Sequence, residues 1–276
     1  MTDMVIYVAA YLILAPVAGG ILSGIERGGK SPLFQPFYDV FKLMEKEDMT
    51  TNRFQDLYIS LFFLFVVAAG GLFFAGENLL LVIFTLTLSW ALLVAGVYSS
   101  NSQYVKKSAD MELLLMMAFE PMALLTAVGF YLYTGSFSVH EIIAFERSSF
   151  VPLIGFFLGY VYVLTMKRLT TDEGLVAELS GKTLALFEIG RWYENILLLG
   201  VVFLFFAWGA ATWTVVGVCV CFCVYFLKMI AGRAFAEAKW QFAFGSSWAA
   251  AALLGSVNVA ALCVPGILET IFFHIG

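Results

Sequence analysis

Charged residues are scarce in this sequence: they make up 13% of its 276 residues, whereas hydrophobic residues make up 62%. A soluble domain carries about 25% charged residues, so the composition excludes a soluble globular protein. The hydrophobic residues form runs long enough to cross a bilayer as helices, and these runs lack the alternation of a membrane β-barrel. The composition therefore predicts an all-α integral membrane protein.

Residues that bind metals or carry out redox chemistry are also scarce. The two histidines, His140 and His274, are isolated from other ligand types. Cys219, Cys221 and Cys223 alternate along one predicted span, where residues two apart point about 200° apart around the helix and cannot converge on one ion. The sequence contains no glycine-rich phosphate loop, nucleophile elbow or iron–sulfur cysteine motif. We therefore predict that this chain has no catalytic or redox centre of its own.

Eight hydrophobic segments are predicted to cross the membrane as one bundle, a single membrane domain over residues 1–276. The first segment has no basic residue before it and no clear small-residue cleavage site, so it is predicted to be a span rather than a secretory signal. The predicted spans are Met4–Leu22, Leu57–Phe74, Leu79–Tyr98, Leu113–Tyr133, Phe150–Met166, Trp192–Trp208, Thr212–Ile230 and Ser247–Leu268.

Basic residues are divided unequally between the two sides of this bundle. The loops after spans one, three, five and seven contain fourteen of the 15 Lys and Arg residues, and the opposite side has only Arg147. Cytoplasmic loops carry an excess of Lys and Arg. The distribution predicts a multi-pass protein of the cell inner (cytoplasmic) membrane with both termini outside.

A short amphipathic segment separates the first two spans. Its apolar residues recur at helical spacing, and its charged residues occupy another face. A helix from Pro36 to Glu47 is about 18 Å long, too short for a hydrocarbon core about 30 Å thick. We expect this cytoplasmic helix to lie along the membrane surface or between spans. The apolar positions are Phe34, Phe37, Val40, Phe41 and Met44, and the charged positions are Asp39, Lys42, Glu45 and Lys46.

Glu120 is an acidic residue inside the predicted fourth span. Pro121 follows it, which frees the carbonyl of Met117 and tends to kink a helix. A freed carbonyl in a membrane needs a partner, and an ionisable residue there is usually functional. A structural, hydrogen-bonded role is the alternative for Glu120. Glu112 lies about 80° away round the same helix, so both can face one side, although Glu112 and Asp110 can also simply mark the end of the span.

A second acidic group follows the fifth span, in the segment Thr171–Glu188. This segment is too polar to cross lipid and too apolar for a free loop. Glu178 and Glu188 are ten residues apart, which places them on nearly one face of a continuous helix. Glu188, Arg191 and Glu194 are spaced three apart, so local ion pairing is expected where span six begins. Structural pairing explains Arg191 and Glu194 as well as a functional role does.

Three motifs together resemble one family of membrane subunits. The pattern Gln-Pro-x-x-Asp-x-x-Lys-Leu at Gln35–Leu43, followed by Lys46-Glu47, is similar to the first cytoplasmic loop of the NADH dehydrogenase (complex I) subunit 1 family. Glu178–Gly181 resembles the Glu-Tyr-Ser-Gly of that family's third cytoplasmic loop. The stretch from Lys107 to Glu120 resembles its loop into span four. The resemblance covers nearly the whole chain and includes the eight-helix topology.

The first loop indicates a branch within that family. Quinone-reducing members have a longer Gly-Pro-Asn-rich lead and an Ala before the Asp, whereas here the lead is short and Tyr38 precedes Asp39. Gln-Pro-Phe-Tyr-Asp resembles the membrane subunit of group 4 [NiFe] hydrogenases, in particular the Ech-type energy-converting enzymes and formate hydrogenlyase. Ala185–Gly190 is also similar to those hydrogenase subunits.

The resemblance implies a membrane-anchoring and energy-coupling subunit of a ferredoxin-linked, hydrogen-evolving [NiFe] hydrogenase complex that moves H⁺ or Na⁺. Its expected partners are the [NiFe] hydrogenase large and small subunits, iron–sulfur subunits, an antiporter-like membrane subunit and the lipid bilayer, but no nucleic acid. The [NiFe] centre and the iron–sulfur clusters would lie in those partners, with no cofactor in this chain. The implied interface with the peripheral redox arm contains Gln35, Asp39, Lys42, Glu173 and Arg233. The implied proton path contains Glu112, Glu120, Glu178 and Glu188.

Two other functions remain open at this point. A quinone-site subunit of a complex I-like dehydrogenase would need an amphipathic tunnel from lipid to the arm, and the short first loop argues against it. An independent secondary transporter often has paired, interrupted helices in two repeated halves. No convincing internal repeat is present, and a transporter does not explain the surface helix after the first span.

Overall fold

The computed structural model of this chain is almost entirely helical. It describes residues 2–27, 33–46, 53–100, 102–145, 151–169, 177, 179–207, 211–234 and 239–263. Within those ranges β structure is limited to an isolated bridge between Asn78 and Ser138. The helices are α1 (Thr2–Glu26), α2 (Gln35–Glu45), α3 (Arg53–Phe74), α4 (Leu79–Tyr98), α5 (Gln103–Thr134), α6 (Val139–Ala144), α7 (Ile154–Leu169), α8 (Gly181–Leu204), α9 (Ala211–Ala234) and α10 (Trp240–Ala250).

Six of the described helices are long and apolar enough to cross a membrane. These segments are Met4–Glu26, Arg53–Phe74, Leu79–Tyr98, Gln103–Thr134, Trp213–Ala234 and Trp240–Cys263. The last combines α10, a π-helical turn at Ala251–Gly255 and the helical residues that follow. The all-α membrane fold predicted from composition is therefore confirmed.

The two other predicted spans coincide with α7 and α8. Helix α7 has 16 residues and is therefore about 24 Å long, which is short for a span. Helix α8 has 24 residues, but it begins at Gly181 rather than at the predicted Trp192 and includes a polar first half. The positive φ of Gly181 (55°) explains this start, because glycine adopts that backbone conformation without steric cost.

Helix α5 also differs from its predicted extent. It starts at Gln103, ten residues before the predicted Leu113, and continues to Thr134 with Pro121 inside it. The helix is therefore uninterrupted at the proline. Glu120 lies within this helix, as the hydrophobic pattern predicts, and the longer helix includes Glu112 as well.

The chain divides into two compact units. Unit 1 consists of Met1–Glu77, Leu81–Met116 and Thr171–Leu199, and unit 2 of Asn78–Leu80, Met117–Thr170 and Gly200–Gly276. Unit 1 therefore contains α1, α2, α3, nearly all of α4, the first part of α5 and most of α8. Unit 2 contains the rest of α5 together with α6, α7, α9 and α10.

Small residues let the helices of unit 1 approach closely. Helix α1 packs against both α2 and α3. A Cβ atom on Gly19 would lie 2.6 Å from the Cβ of Trp192 on α8, and Gly20 faces the ring of Phe37 on α2 in the same way. Since helices in lipid associate through close packing rather than through the hydrophobic effect, these glycines fix where α2 and α8 meet α1.

Unit 2 is organised around α7, which packs against α9 and α10. A Cβ atom on Gly129 of α5 would lie 2.5 Å from the ring of Phe156, so this glycine permits the contact between α5 and α7. Beyond the π-helical turn, the side-chain amide of Asn258 donates a hydrogen bond to the carbonyl of Pro152 at 2.9 Å. That bond ties the end of the last described helix to the turn that precedes α7.

Candidate functional site

Helix α2 places the first group of predicted site residues. Pro36 lies in its first turn, where the missing N–H costs nothing. Pro36 and Val40 are buried, and Val40 forms a cluster with Ala185 and Trp192 of α8. Phe37 packs on this cluster, with its ring centroid 5.3 Å from that of Trp192. Helix α2 is therefore attached to α8 as well as to α1.

The apolar stripe of α2 is only partly covered by the rest of the chain. Val40 and Phe37 supply the inward contacts described above. Phe34 and Phe41 are exposed by 59% and 65%, and Tyr38 between them is exposed by 68%. The predicted stripe is therefore present, and α1 and α8 bury one edge of it.

Arg27, Gln35 and Asp39 form a polar junction at the start of α2. The guanidinium of Arg27 forms an ion pair with the carboxylate of Asp39, and the amide of Gln35 donates a hydrogen bond to the same carboxylate at 3.0 Å. Lys42 is exposed on the next turn. The structure thus brings the predicted residues Gln35 and Asp39 together, and Arg27 connects them to the end of α1.

A second and more buried group of charges surrounds Arg191 in unit 1. The carboxylates of Glu194, Glu112, Glu188 and Glu26 lie within electrostatic range of its guanidinium. Glu194 is 4% exposed and Glu112 is 5% exposed. We call these five residues the Arg191 cluster. They come from α1, α5 and α8, so the cluster is a tertiary feature rather than a local ion pair.

Aromatic packing fixes the position of Arg191. Its guanidinium carbon lies 5.5 Å from the centroid of the Phe187 ring, an arrangement in which a cation is attracted to the ring face. Phe187 stacks in turn on Phe62 of α3, with centroids 6.1 Å apart. A Cβ atom on Gly190 would lie 2.7 Å from the Phe62 ring. The glycine therefore allows α3 to approach α8 and support the arginine.

The start of α8 is tied to the start of α3. The hydroxyl of Thr183 donates a hydrogen bond to the carboxylate of Asp56 at 2.9 Å. Thr183 is 3% exposed, and Gln55, which precedes Asp56 on α3, is 4% exposed. Since Thr183 lies one turn before Phe187, this bond fixes α8 at the end from which the Arg191 cluster begins.

The structure brings together only part of the predicted coupling set. Glu112 and Glu188 both belong to the Arg191 cluster. Glu120 is half-buried on the part of α5 that belongs to unit 2. Arg233 is exposed in the last turn of α9. The predicted residues Glu173 and Glu178 lie outside the described residues.

The centre of the site does not follow from sequence reasoning. The spacing predicts a local pair between Arg191 and its neighbours, whereas Arg191 also interacts with acids from two other helices. Glu26 is absent from the predicted set, because a single acid at the end of a span carries no local signal.

Lys167 is predicted in a cytoplasmic loop, but it is 9% exposed and lies 5.9 Å from the Phe119 ring centroid. Its place in the last turn of α7 explains both facts, because a long side chain there can fold back onto apolar surface.

Metal-binding groups are not assembled in the described part of the chain. No set of three or more His, Cys, Asp or Glu residues there is arranged to hold a metal ion. The four cysteines are free thiols. The chemistry that this site offers is therefore ionic and hydrogen-bonding: carboxylates, guanidinium groups and hydroxyls held by packed helices.

Comparisons with known proteins match nearly the whole chain. The family described as NADH dehydrogenase matches residues 23–263. A chain of the membrane-bound sulfane sulfur reductase (MBS), an archaeal respiratory membrane complex, is similar in structure with a TM-score of 0.80 and 18% sequence identity. That match covers 94% of this chain and 99% of the other. No curated protein matches the sequence.

Proposed function

This chain belongs to the NADH dehydrogenase family, and we propose that it is a membrane subunit of a complex I-like respiratory complex, with the following specific role. It anchors the peripheral arm of a ferredoxin-linked, hydrogen-evolving [NiFe] hydrogenase and couples that arm to the movement of H⁺ or Na⁺. The Gln-Pro-Phe-Tyr-Asp sequence that begins at Gln35 supports the hydrogenase branch of the family.

The Arg191 cluster is the observation that carries the coupling part of the proposal. Ionisable residues within membrane helices are costly and mark ion or proton paths. Four acidic side chains lie within electrostatic range of one guanidinium, so the cluster groups several ionisable carboxyls with a permanent cation. Electrostatic coupling is stronger in this low-dielectric interior than in water. A change of charge at one acid therefore changes the electrostatic energy of the other acids.

The polar junction on α2 supports the docking part of the proposal. Asp39 joins Arg27 and Gln35 on a helix that the positive-inside distribution places on the cytoplasmic side. Lys42 is exposed beside it and available to a partner. In this proposal Gln35, Asp39 and Lys42 contact the arm, together with Glu173 and Arg233.

The proposal also assigns partners and location. The [NiFe] large and small subunits and the iron–sulfur subunits contain the cofactors, and an antiporter-like membrane subunit lies beside this chain. The complex is in the inner membrane with both termini of this chain outside. Reduced ferredoxin supplies electrons to protons in the arm, which forms hydrogen. In that scheme this chain holds no redox group and contributes the ionisable side chains of the Arg191 cluster.

A sulfane sulfur-reducing arm is the second candidate, favoured by the similarity to the MBS chain. Metal analysis of the complex that co-purifies with this chain separates the two candidates. Nickel together with iron supports the hydrogenase, and iron without nickel supports the second candidate. A quinone-site subunit is the third candidate, and inhibition of activity by a quinone-site inhibitor would support it.

The coupling role predicts a specific defect when the Arg191 cluster loses an acid. In proteoliposomes that contain the assembled complex, Glu112→Gln should lower ion transport per electron at least about tenfold, because a proton-transfer group contributes factors of this size or more. Electron transfer from an artificial donor to the arm should remain near normal. Glu120→Gln should show the same pattern if Glu120 belongs to the path.

Glu141→Gln is the matched control, because Glu141 is exposed on α6. Its transport per electron should equal that of the unmodified complex. Normal coupled transport in an assembled Glu112→Gln complex would remove the Arg191 cluster from the path. Loss of artificial-donor activity as well would show that the substitution damages the arm rather than the coupling.

A further inference from the structure

Pro16 changes the hydrogen bonding of α1 at mid-helix. Proline has no N–H, so the carbonyl four residues earlier, that of Leu12, loses its partner within the helix. The hydroxyl of Tyr193 on α8 donates a hydrogen bond to this carbonyl at 2.8 Å. A tyrosine from a neighbouring helix thus satisfies the carbonyl that the proline frees, as the hydrocarbon interior requires.

Tyr11, beside Leu12, has a buried hydroxyl with no hydrogen-bond partner among the described residues. Its side chain is 4% exposed. The ring is held firmly, with its centroid 4.8 Å from that of Phe74 and 5.3 Å from that of Tyr193. A Cβ atom on Gly70 of α3 would overlap the hydroxyl. The neighbouring helix therefore leaves space at this position specifically for the hydroxyl group.

The position of Tyr11 within the membrane makes it energetically unfavourable to leave its hydroxyl without a hydrogen bond. Tyr11 is seven residues after the start of the candidate span Met4–Glu26, about 10 Å along the helix, which places it inside the hydrocarbon core. A buried hydroxyl without a partner keeps the full cost of its desolvation. A phenylalanine would make the same ring contacts without that cost and would leave only the small space beside Gly70. A small polar ligand that accepts or donates a hydrogen bond would remove the cost.

Trp192 repeats the pattern nearer the cytoplasmic end. Its indole N–H is buried and has no partner among the described residues. The side chain lies over Gly19 and beside Phe37. Trp192 and Tyr193 stand between Arg191 and Glu194 on α8. Within the described chain, donors that lack a partner therefore lie along the contact of α1 with α8 at two depths, next to the residues of the Arg191 cluster.

We propose that this contact, which we call the α1–α8 seam and define as Tyr11, the Leu12 carbonyl, Trp192 and Tyr193, binds internal water molecules. The Leu12 carbonyl has a second lone pair that can accept a hydrogen bond from water, and the Tyr11 hydroxyl can donate one. A buried water typically makes about three such bonds. The bound waters extend the hydrogen-bonded path of the Arg191 cluster toward the middle of the membrane, a consequence that rests on the proposed coupling function.

Radiolytic labelling in H₂¹⁸O tests the water site without any assumption about function. Bound water that is activated by X-rays transfers its oxygen to the side chain beside it, even in a buried place. In the assembled complex, Tyr11 should incorporate ¹⁸O several-fold faster than Phe130, which is fully buried in unit 2. Incorporation at Tyr11 no faster than at Phe130 would overturn the water site.

The variant Tyr11→Phe tests whether the seam belongs to the path. It removes an unpartnered buried hydroxyl, so a purely structural role predicts equal or higher thermal stability and unchanged transport. The proposal instead predicts equal or higher stability with a several-fold loss of ion transport per electron. Tyr7→Phe is the control, because Tyr7 lies one turn earlier on α1 and is 60% exposed.

The outcomes separate this inference from the proposed function. Normal transport in Tyr11→Phe with defective transport in Glu112→Gln would remove the seam from the path and leave the cluster in it. Normal transport in Glu112→Gln would contradict the coupling function itself. In that case the ¹⁸O result alone still decides whether the seam binds water.

Discussion

Unit 1 and unit 2 differ in the acidic side chains that they bury. In unit 1 the interior contains Glu112 and Glu194, which are 5% and 4% exposed. No acidic side chain described in unit 2 is buried to that extent. Both units use glycine to bring helices close, and both enclose large apolar side chains, such as Phe62 in unit 1 and Phe130 in unit 2. The packing is therefore shared, and the difference lies in the buried acids.

The difference assigns different roles to the two interiors. Aromatic packing holds helices together in lipid without any charge, as the contact of Phe130 with Phe205 at 4.8 Å illustrates. Buried acids add nothing to that packing and are costly to keep in a membrane. Unit 1 keeps four acids around one cation, which is expected where a function depends on charge.

Removing the cation from unit 1 is expected to have the largest effect. Arg191→Ala should destabilise the assembled chain by about 4 kcal/mol, because it leaves the buried carboxylates of Glu112 and Glu194 without their cation. Arg191→Lys should recover part of the loss, since it keeps the charge but lacks the planar guanidinium that faces Phe187. Thermal unfolding in detergent, followed by the yield of assembled complex, measures both.

Lys239→Ala is the control for this substitution, because Lys239 is exposed at the start of α10. An exposed charge contributes at most about 1 kcal/mol. Equal losses of stability in Arg191→Ala and Lys239→Ala would contradict the contrast between the units, since Arg191 would then behave like a surface residue.

The sequence predicts the helices well because each is set by local composition. The run Leu79–Tyr98 is continuous and apolar, so its position follows from hydropathy alone, and Leu57–Phe74 gives all of α3 except its polar first turn. The predicted starts of α5 and α8 are about ten residues late. Their first turns are polar residues that would be excluded from lipid, and only packing against the rest of the chain shows that they continue a helix.

The site is only partly predictable because its members come from different helices. Glu188, Arg191 and Glu194 are spaced three apart, so their pairing follows from helix geometry. The addition of Glu112 and Glu26 depends on which faces of α5 and α1 meet α8, and a single sequence does not contain that information. The partial burial of the apolar stripe of α2 has the same origin, since the exposure of its aromatic residues depends on what packs against the helix.

Creating a cavity in unit 2 should have the next largest effect on stability, and it should leave the coupling of electron transfer to ion transport intact. Phe130→Ala should destabilise by about 3 kcal/mol, because it removes a fully buried ring and leaves a cavity against Phe205. Ion transport per electron should be unchanged in complexes that remain assembled. Phe222→Ala is the matched control, because Phe222 is 52% exposed on α9 and its loss creates no cavity.

A defect in transport per electron that matched that of Glu112→Gln would contradict the assignment of Phe130 to packing alone. It would also weaken the contrast between the two interiors, since an apolar change would then act like the loss of an acid. Stability and transport must therefore be measured on the same preparation.

The smallest effect on stability is expected at the edge of unit 1, on α2. Asp39→Asn removes the charge that pairs with Arg27 but keeps an oxygen that can accept the hydrogen bond from Gln35. Because the ion pair is exposed, the loss of stability should be below about 1 kcal/mol. Retention of the peripheral arm during purification should nevertheless fall. Glu45→Gln is the control, since it removes an exposed acid from the same helix; equal retention of the arm in both variants would reduce Asp39 to a local contact of α2.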